Sequence, residues 1–176
     1  MIEQIVFFFQ DLNRIMGSKK YRIFIIFFTR SFWGLLNYRL DRSFYLLFGR
    51  FHGVIRLPFL PFMILWQSFS NIDIHYKADV KGGILILHPS LGIVISGRAK
   101  VGRKLTLTGG NVIGFNGNSK NKAFEIGDNC SFGANSVVIG PLTIGNKINI
   151  GAMACVTKSF AEDGITLVGV PAKKLN

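Results

Sequence analysis

The sequence has few cysteines and no long hydrophobic run. Cys130 and Cys155 are its only cysteines among 176 residues, too few and too far apart for a disulfide framework or a metal-ligand cluster. This favours a reduced, cytoplasmic setting. The longest uncharged segment, residues 57–72, contains two prolines and is shorter than the ~20 apolar residues that a membrane-spanning helix needs.

Acidic residues are also scarce. The chain has nine of them against 21 lysines and arginines, a formal net charge of +12. That excess suits an acidic partner, such as a phosphate-bearing cofactor, an anionic glycan or a membrane surface. Nucleic acid is disfavoured, because the lysines of residues 114–125 alternate with Asn and Ser and lack the stacking aromatics of single-strand binders.

Phenylalanine and glycine divide the chain into two regions. Thirteen of the 17 phenylalanines lie in residues 1–70, whereas 16 of the 20 glycines follow residue 70. We therefore expect an α-helical, aromatic and Arg-rich region over residues 1–70. A second domain, built from short repeats, is expected over residues 71–176.

One helix of the first region is predicted to be amphipathic. At 100° per residue, its apolar positions fall in one narrow stripe: Leu36, Leu40, Phe44, Leu47 and Phe51. Three arginines cluster on a neighbouring face. The stripe is expected to pack on the second domain or a sister subunit, or to rest on an anionic membrane face.

The second region repeats every six residues. An aliphatic or aromatic residue occupies each first position, usually followed by glycine, at Ile126, Phe132, Val138, Ile144, Ile150 and Val156. The same phase occurs upstream at Ile74, Val80, Ile86, Ile95, Val101, Leu107 and Ile113. A period of six suits a short strand followed by a sharp turn, where glycine supplies backbone freedom. Three such units make a coil of 18 residues, so the pattern predicts a stacked parallel β-helix.

Two places break the period. The step from Ile86 to Ile95 is nine residues long and contains His88, and a loop at residues 114–125 separates Ile113 from Ile126. Loops that project from a rigid solenoid commonly carry binding groups. Both breaks are therefore candidate parts of a functional site.

Residues 70–176 resemble the hexapeptide-repeat acyltransferases, and the segment "GVPAKKL" (169–175) is similar to a common ending of these enzymes. The resemblance implies a mainly β fold, a left-handed parallel β-helix preceded by the N-terminal α-helical region. It also implies a homotrimer, with acetyl-CoA in a groove between neighbouring helices and a C-terminal tail that contacts the coenzyme.

Residues 71–102 look like the corresponding stretch of serine O-acetyltransferases, including the 15-residue separation between Asp73 and His88. By that resemblance His88 is the general base and Asp73 orients it. The chemistry suits the residue types, because an imidazole of pKa ~6.5 can take the proton of a hydroxyl as it attacks a thioester. A carboxylate on the other ring nitrogen would fix the tautomer.

The coenzyme site is carried over in the same way. The segment "IGAMACVTK" matches a coenzyme-lining segment of the family, and small residues let the pantetheine arm approach the backbone. The residues expected to contact acetyl-CoA are Ala134, Ala152, Thr157, Lys158, Lys173 and Lys174.

The sequence departs from the serine enzymes at the acceptor side. Leu87 stands where they have an aspartate, and the loop at 114–125 has neither arginine nor histidine. The pattern is more similar to O-acetyltransferases of polysaccharide biosynthesis of the colanic-acid type. We therefore expect the acceptor to be a hydroxyl of a surface polysaccharide or its precursor sugar, bound by Asn111, Phe115 and Asn116. A cytoplasmic enzyme with peripheral contact to the inner membrane face would suit a lipid-linked acceptor.

The pattern also has alternative interpretations. A true serine O-acetyltransferase of cysteine biosynthesis is the alternative within the class, and a non-catalytic trimeric scaffold is the alternative outside it. Zinc carbonic anhydrases of the same architecture need three histidines, including a close pair, and His52, His75 and His88 do not have that spacing. We expect no metal site.

Overall fold

Helices and 3-10 turns dominate residues 2–70, and short strands separated by turns follow from Ile72 onward. The structure is a computed structural model, which describes residues 2–117 and 123–175. The helices are α1 (Ile2–Met16), α2 (Arg30–Phe48), α3 (His52–Arg56) and α4 (Leu60–Ser70), with 3-10 turns at Lys20–Phe24, Ile26–Phe28, Gly49–Phe51, Leu57–Phe59 and Pro89–Leu91. Within the described residues, no helix combines the length and apolarity needed to cross a bilayer.

Local capping sets the ends of the two helices that frame the solenoid. The Thr29 hydroxyl accepts the N–H of Phe32 at 3.3 Å and caps the start of α2. At the end of α4, Asn71 adopts a left-handed conformation with φ of 58°, a shape that asparagine tolerates better than most residues. This reversal directs the chain from the last helix into the first strand.

The strands form three sheets, numbered here in chain order, in which every pairing is parallel except that of β14 with β15. The first sheet contains β1 (Ile72–Ile74), β4 (Ile93–Ile95), β7 (Asn111–Phe115), β10 (Val137–Gly140) and β13 (Cys155–Val156). The second contains β2 (Asp79–Val80), β5 (Lys100–Val101), β8 (Glu125–Ile126) and β11 (Thr143–Ile144). The third contains β3 (Leu85–Ile86), β6 (Thr106–Leu107), β9 (Ser131–Phe132), β12 (Asn149–Ile150), β14 (Thr166–Val168) and β15 (Lys173–Lys174). From β1 to β12, each set of three consecutive strands makes one coil.

The first residues of the hexads form the core of the coil stack. Every one of them, from Ile74 to Val156, is buried, and their register is direct: Val138 pairs with Val156, eighteen residues on. Side chains in the same coil position therefore stack into continuous ladders that exclude water. This arrangement confirms the predicted fold class, a parallel β-helix behind an N-terminal helical region.

The two breaks in the period leave the coil as insertions. Ile74 pairs with Ile95, twenty-one residues on, because the 3-10 turn Pro89–Leu91 is inserted after β3. Ile113 pairs with Val138, twenty-five residues on, across the loop at 114–125. Residues 118–122 of that loop lie outside the described residues.

Polar side chains of α2 seal the open edge of the first coil. The Ser31 hydroxyl donates to the carbonyl of Ile86 at 3.0 Å, the Tyr38 hydroxyl donates to Ala78 O at 2.9 Å, and Arg39 donates to Val80 O at 2.7 Å. The first coil has no coil before it, so its carbonyls need such partners when they are buried.

Helix α1 completes this polar cap, which we define as Asp11, Ser31, Tyr38 and Arg39. One carboxylate oxygen of Asp11 accepts the N–H groups of Gly83 and Ile84 at 2.7 and 2.8 Å. Burial raises the pKa of this carboxyl, although Arg39 and the two N–H groups act in the opposite direction. The helices are thereby joined to the solenoid through its backbone.

The face of α2 that packs on the solenoid is not the predicted apolar stripe. Leu35, Tyr38 and Arg39 are buried there, whereas Leu47 and Phe51 of the stripe are exposed. The contact with the coil edge requires hydrogen-bonding side chains, so the polar face turns inward. Within one chain the stripe is not the face that packs on the second domain, which was one of the alternatives expected. Phe44 instead packs on Phe59 of the helical region, with 5.3 Å between the ring centres.

Candidate active site

His88 lies where the chain leaves β3, at the edge between the third and first sheets. Its N–H donates to the carbonyl of Thr108 in the next coil at 2.8 Å, and its own carbonyl accepts the N–H of Leu91 at 3.2 Å. The imidazole is exposed, and no side-chain hydrogen bond of its ring occurs among the described residues. A fixed backbone therefore presents a ring whose nitrogens are open to a ligand.

A glycine in the next coil allows this placement. A Cβ built on Gly109 would collide with the carbonyl oxygen of His88 and lie 3.2 Å from the Cβ of that residue. The φ of Gly109 is 142°, which side-chain-bearing residues rarely adopt. Gly109 thus permits the close approach of two backbones directly at the histidine.

Ala134 and Ala152 lie on the same edge of the solenoid as His88. The N–H of Asn135 donates to the carbonyl of Gly109 at 2.8 Å, and the N–H of Met153 donates to the carbonyl of Ala134 at 2.9 Å. We call this column of His88, Gly109, Ala134 and Ala152 the histidine edge. With ~4.8 Å between coils, it extends ~14 Å from the imidazole to Ala152.

The predicted coenzyme residues beyond the column are exposed. Thr157 and Lys158 follow β13, and the ammonium of Lys158 lies 5.4 Å from the ring centre of Phe160. Lys173 pairs with Val168 in an antiparallel hairpin. Lys174 forms an ion pair of 2.6 Å with Glu162, so part of its charge is already balanced. Lys158 thus follows a strand of the first sheet, whereas Lys173 and Lys174 lie in the third sheet.

A cavity of about 550 Å³ opens beside the imidazole. The first coil contributes one wall, residues 85–90, which includes Leu87 and His88. The helical region contributes the other wall: Arg14, Ile15, Arg22, Thr29, Arg30 and Ser31. None of the site residues predicted from the sequence lies in this helical wall, although arginines in an otherwise apolar segment are a visible signal of it.

Arg14 holds this wall against the solenoid. Its guanidinium donates to the carbonyl of Gly83 at 2.6 Å and to the hydroxyl of Thr106 at 2.9 Å. Burial lowers the pKa of Arg14, and the nearby carboxylate of Asp11 partly opposes that shift. The side chain is therefore engaged in the junction between the helices and the coils.

The structure does not bring Asp73 to His88. Asp73 is exposed on β1, where it pairs with Val94, and it has no hydrogen bond to His88. It lines a separate cavity of about 90 Å³ with His75 and Tyr76. Within one chain the predicted dyad is not formed.

The other two histidines have structural partners. His75 accepts the N–H of Lys77 at 3.1 Å through Nδ1, and its ring stacks on Tyr76 at 4.4 Å. Burial, and then the charge of Lys77, lower the pKa of His75. His52 is buried, with Nε2 at 2.8 Å from a carboxylate oxygen of Asp41.

Asn111 is occupied inside the coil stack. Its side chain is 1 % exposed; its amide donates to the carbonyl of Gly133 and the hydroxyl of Ser136 at 2.7 and 2.9 Å, and accepts the N–H of Gly109 at 2.9 Å. These bonds use both amide hydrogens, and the geometry gives no support to the predicted acceptor contact.

Phe115 and Asn116 lie at the base of the loop. The Phe115 ring is 5.9 Å from that of Phe124, and the guanidinium of Arg98 is 4.3 Å from its centre. Asn116 is exposed. Neither residue lines the cavity beside His88, so within one chain the three predicted acceptor residues are not gathered at the imidazole.

Among the described residues no group of three or more His, Cys, Asp or Glu side chains could bind a metal ion.

No protein-family model matches the chain, but individual proteins do. The serine acetyltransferase of Staphylococcus xylosus is 34% identical over 106 residues, which are 60% of this chain and 48% of that protein. The serine acetyltransferase of Mycobacterium tuberculosis is 34% identical over 108 residues, 61% of this chain and 46% of that protein. The chain thus spans about half the length of these curated relatives.

Solved structures give the same relationship for the fold. The crystal structure of Neisseria gonorrhoeae serine acetyltransferase superposes with a TM-score of 0.80 and 23% identity, covering 100% of this chain and 66% of the other. A serine acetyltransferase in complex with CoA superposes with a TM-score of 0.65 and 19% identity, covering 83% of this chain and 57% of the other. The chain resembles serine O-acetyltransferases, and the likeness in fold extends through the helical region.

Proposed function

We propose that this chain transfers an acetyl group from acetyl-CoA to a hydroxyl group, with His88 as the general base. The histidine edge carries the proposal, because it puts an open imidazole and two small residues in one column on a fold shared with serine acetyltransferases. The imidazole takes the hydroxyl proton while the oxygen bonds to the thioester carbonyl. The carbon–sulfur bond then breaks, and the imidazolium returns the proton to the leaving thiolate.

Serine is the acceptor that the comparisons favour. Both curated relatives described above are serine acetyltransferases, and none of these similarities points to a polysaccharide hydroxyl, the acceptor expected from the sequence. A sugar hydroxyl remains the second candidate for one structural reason. Leu87 is exposed next to His88, and the described residues that line the cavity include no acid to pair with the ammonium of serine.

Asp73 is proposed to orient His88 in the working enzyme. An enzyme without substrate often holds its catalytic hydrogen bonds long or misaligned, so the separation seen in one chain does not remove this role. Asp73→Asn keeps the shape of the side chain and removes its charge. We expect it to lower kcat with little change in acceptor KM, since only the tautomer and the imidazolium depend on the charge.

Acetyl-CoA is proposed to lie along the histidine edge, with its thioester at His88. Ala134 and Ala152 would leave room for the pantetheine arm, and Thr157, Lys158, Lys173 and Lys174 would face the phosphate groups. By the family resemblance, the groove is closed by a neighbouring subunit of a homotrimer. Light scattering of the purified chain measures that assembly.

The decisive assay is thiol release from acetyl-CoA with L-serine, nucleotide sugars and oligosaccharides offered separately. His88→Ala should lower the rate by about 10²- to 10⁴-fold without changing the circular dichroism spectrum or the assembly. His75→Gln is the matched control, because His75 lies outside the cavity. An unchanged rate of thiol release in His88→Ala would contradict the role of His88 as general base. No thiol release by the wild type with any acceptor would support the non-catalytic scaffold.

We also propose that the chain is cytoplasmic and that its helical region contacts an anionic membrane. Of 28 large hydrophobic side chains exposed in the described residues, 22 lie in residues 2–70. That region carries nine lysines and arginines against three acids, and two of these acids, Asp11 and Asp41, are already paired with cations. An exposed surface that is both apolar and basic suits anionic lipid.

Vesicle flotation tests the membrane contact. Phe24 and Phe28 are 79% and 81% exposed, and replacing both with Ser should abolish binding to anionic vesicles at low salt. Val170→Ser is the control, because Val170 is 74% exposed on the solenoid. Equal binding to neutral vesicles, or no binding at low salt, would refute the proposal and leave self-association to explain the surface.

A further inference from the structure

The cavity beside His88 is strongly cationic on its helical side. Three of the twelve residues that line it are Arg14, Arg22 and Arg30, and none of the twelve is acidic. The acid nearest in the chain to Arg14 is Asp11, which is committed to Arg39 and to two backbone N–H groups of the first coil. The charge in this cavity therefore has no counter-ion among the described lining residues.

The three arginines differ in how much of their binding capacity is already used. Arg14 is engaged with backbone and hydroxyl oxygens of the coils. Arg22 makes one long hydrogen bond of 3.4 Å to the carbonyl of Ile15. Arg30 is exposed at the first position of α2, with its guanidinium 5.7 Å from the ring centre of Phe69. Arg22 and Arg30 retain donors for a ligand.

We propose that Arg22 and Arg30 bind an anionic oxygen group, carboxylate or phosphate, on the acceptor whose hydroxyl His88 deprotonates. The inference rests on the acetyl transfer proposed above and specifies the acceptor of that same site. Guanidinium groups suit the role because they present paired N–H donors that match both kinds of anion. The acceptor enters from the helical side, and the anion fixes the distance between its hydroxyl and the imidazole.

The position of the cavity separates this anion from the phosphates of CoA. His88 belongs to the first coil, and the cavity lies between that coil and the helices. The column toward Ala152 runs in the opposite direction, through the second, third and fourth coils. His88 thus stands between an acceptor side and a donor side, so the lysines beyond Ala152 face the coenzyme phosphates and the two arginines do not.

The same charges rank the possible acceptors. A serine carboxylate can pair with Arg22 or Arg30, but its ammonium is repelled by the cationic wall and meets no acid there. A phosphate ester carries up to two negative charges near neutral pH and brings no cation. We therefore expect a hydroxyl compound with a phosphate to bind more tightly than serine.

Two matched pairs of acceptors test the proposal in the thiol-release assay. Ethanolamine lacks only the carboxylate of L-serine, and glucose lacks only the phosphate of glucose 6-phosphate. The acceptor with the anion should have the lower KM in each pair. The double variant Arg22→Gln/Arg30→Gln should raise that KM about ten- to hundred-fold, leave the acetyl-CoA KM unchanged and remove the preference.

Arg50→Gln is the control, because Arg50 is exposed in the helical region and likewise lies by an aromatic ring, Phe51, at 4.9 Å, but does not line the cavity. Equal KM values for acceptors with and without the anion would overturn the proposal. So would a rise in the acetyl-CoA KM of the double variant in place of the acceptor KM.

A binding measurement separates this inference from the acetyl transfer itself. Calorimetry with inorganic phosphate is performed on His88→Ala, which cannot turn over. Binding that disappears in the triple variant with Arg22→Gln and Arg30→Gln supports the anion site even if no acceptor is acetylated, in which case only the proposed reaction fails. Phosphate binding that persists without the two arginines contradicts the site.

Discussion

Asp11 on α1 and Arg39 on α2 form a buried ion pair of 3.0 Å, and each also binds the backbone of the first coil. The carboxylate accepts N–H groups that start the turn before β3, while the guanidinium donates to the carbonyl that ends β2. One pair of side chains thus connects two helices and the solenoid. The junction depends on charge and hydrogen bonding as much as on apolar contact.

Asp11→Ala should be strongly destabilising. It leaves the buried Arg39 without its counter-ion and two N–H groups without an acceptor, and such changes cost about 3–5 kcal/mol. The free energy of unfolding, measured with urea, should fall accordingly. Glu3→Ala is the control, because it removes an exposed carboxylate from the same helix. If Asp11→Ala lowers the free energy of unfolding no more than Glu3→Ala does, the polar cap does not stabilise the fold as described.

Gly109→Ala should impair catalysis by moving His88. The added Cβ would collide with the carbonyl oxygen of His88, so the imidazole must shift along the histidine edge. Gly117→Ala is a matched control, because Gly117 also has a positive φ, 130°, but a Cβ there meets no atom within 4 Å. We expect kcat to fall much further in Gly109→Ala. Equal losses would mean that backbone strain alone is responsible.

Asn111→Ala should act on stability and not on acceptor binding. It leaves the buried N–H of Gly109 without an acceptor and removes one of two donors from the carbonyl of Gly133, which keeps the N–H of Ser136. An unsatisfied buried group costs about 1–3 kcal/mol. Asn116→Ala is the control. Asn116 is exposed and directly follows β7, the strand that Asn111 begins, so this substitution should leave the free energy of unfolding unchanged. A stable Asn111→Ala protein with a raised acceptor KM would restore the original sequence-based assignment.

His75 should make stability depend on pH. Its pKa is lowered in the folded chain, mainly by burial, so below the unfolded value of ~6.5 the unfolded chain binds more protons. The contribution of His75 to the free energy of unfolding is therefore fully present above pH ~6.5 and is lost as the pH falls from there through the lower pKa of the folded chain. Charges that face the ring are Lys77, Arg56, Asp73 and Asp41, and protonation at Nδ1 also breaks the bond from the Lys77 N–H.

His75→Gln should remove this dependence of the free energy of unfolding on pH. Urea unfolding of both proteins at pH 7.5 and pH 5.5 gives the comparison, and the stability advantage of the wild type should shrink at the lower pH. If the difference in free energy of unfolding between the two proteins is larger at pH 5.5 than at pH 7.5, protonation of His75 stabilises the fold and this prediction is wrong.

The sequence was sufficient for the solenoid because the signal is local. A first-position residue such as Val138 and its partner Val156 are separated by a fixed number of residues, so the period alone gives strand positions, register and core. The insertion containing His88 was visible for the same reason, as a departure from that period.

The helical region was less predictable because its partners are distant in sequence. Hydropathy favoured Leu47 and Phe51 as the packed face of α2, yet Tyr38 and Arg39 are buried because the coil edge offers carbonyls and N–H groups. No pattern within residues 1–70 reveals that edge. The hydrogen bonds of the Asn111 side chain are hidden in the sequence for a related reason, since the partners of its amide hydrogens lie 22 and 25 residues along the chain.

The two ends of the coil stack are closed by unlike means. At one end the side chains of the cap occupy the exposed rungs of the first coil, and at the other β15 folds back antiparallel onto β14. Both contacts occupy strand-edge groups of the described residues, and they oppose the lengthwise addition of a strand from another copy.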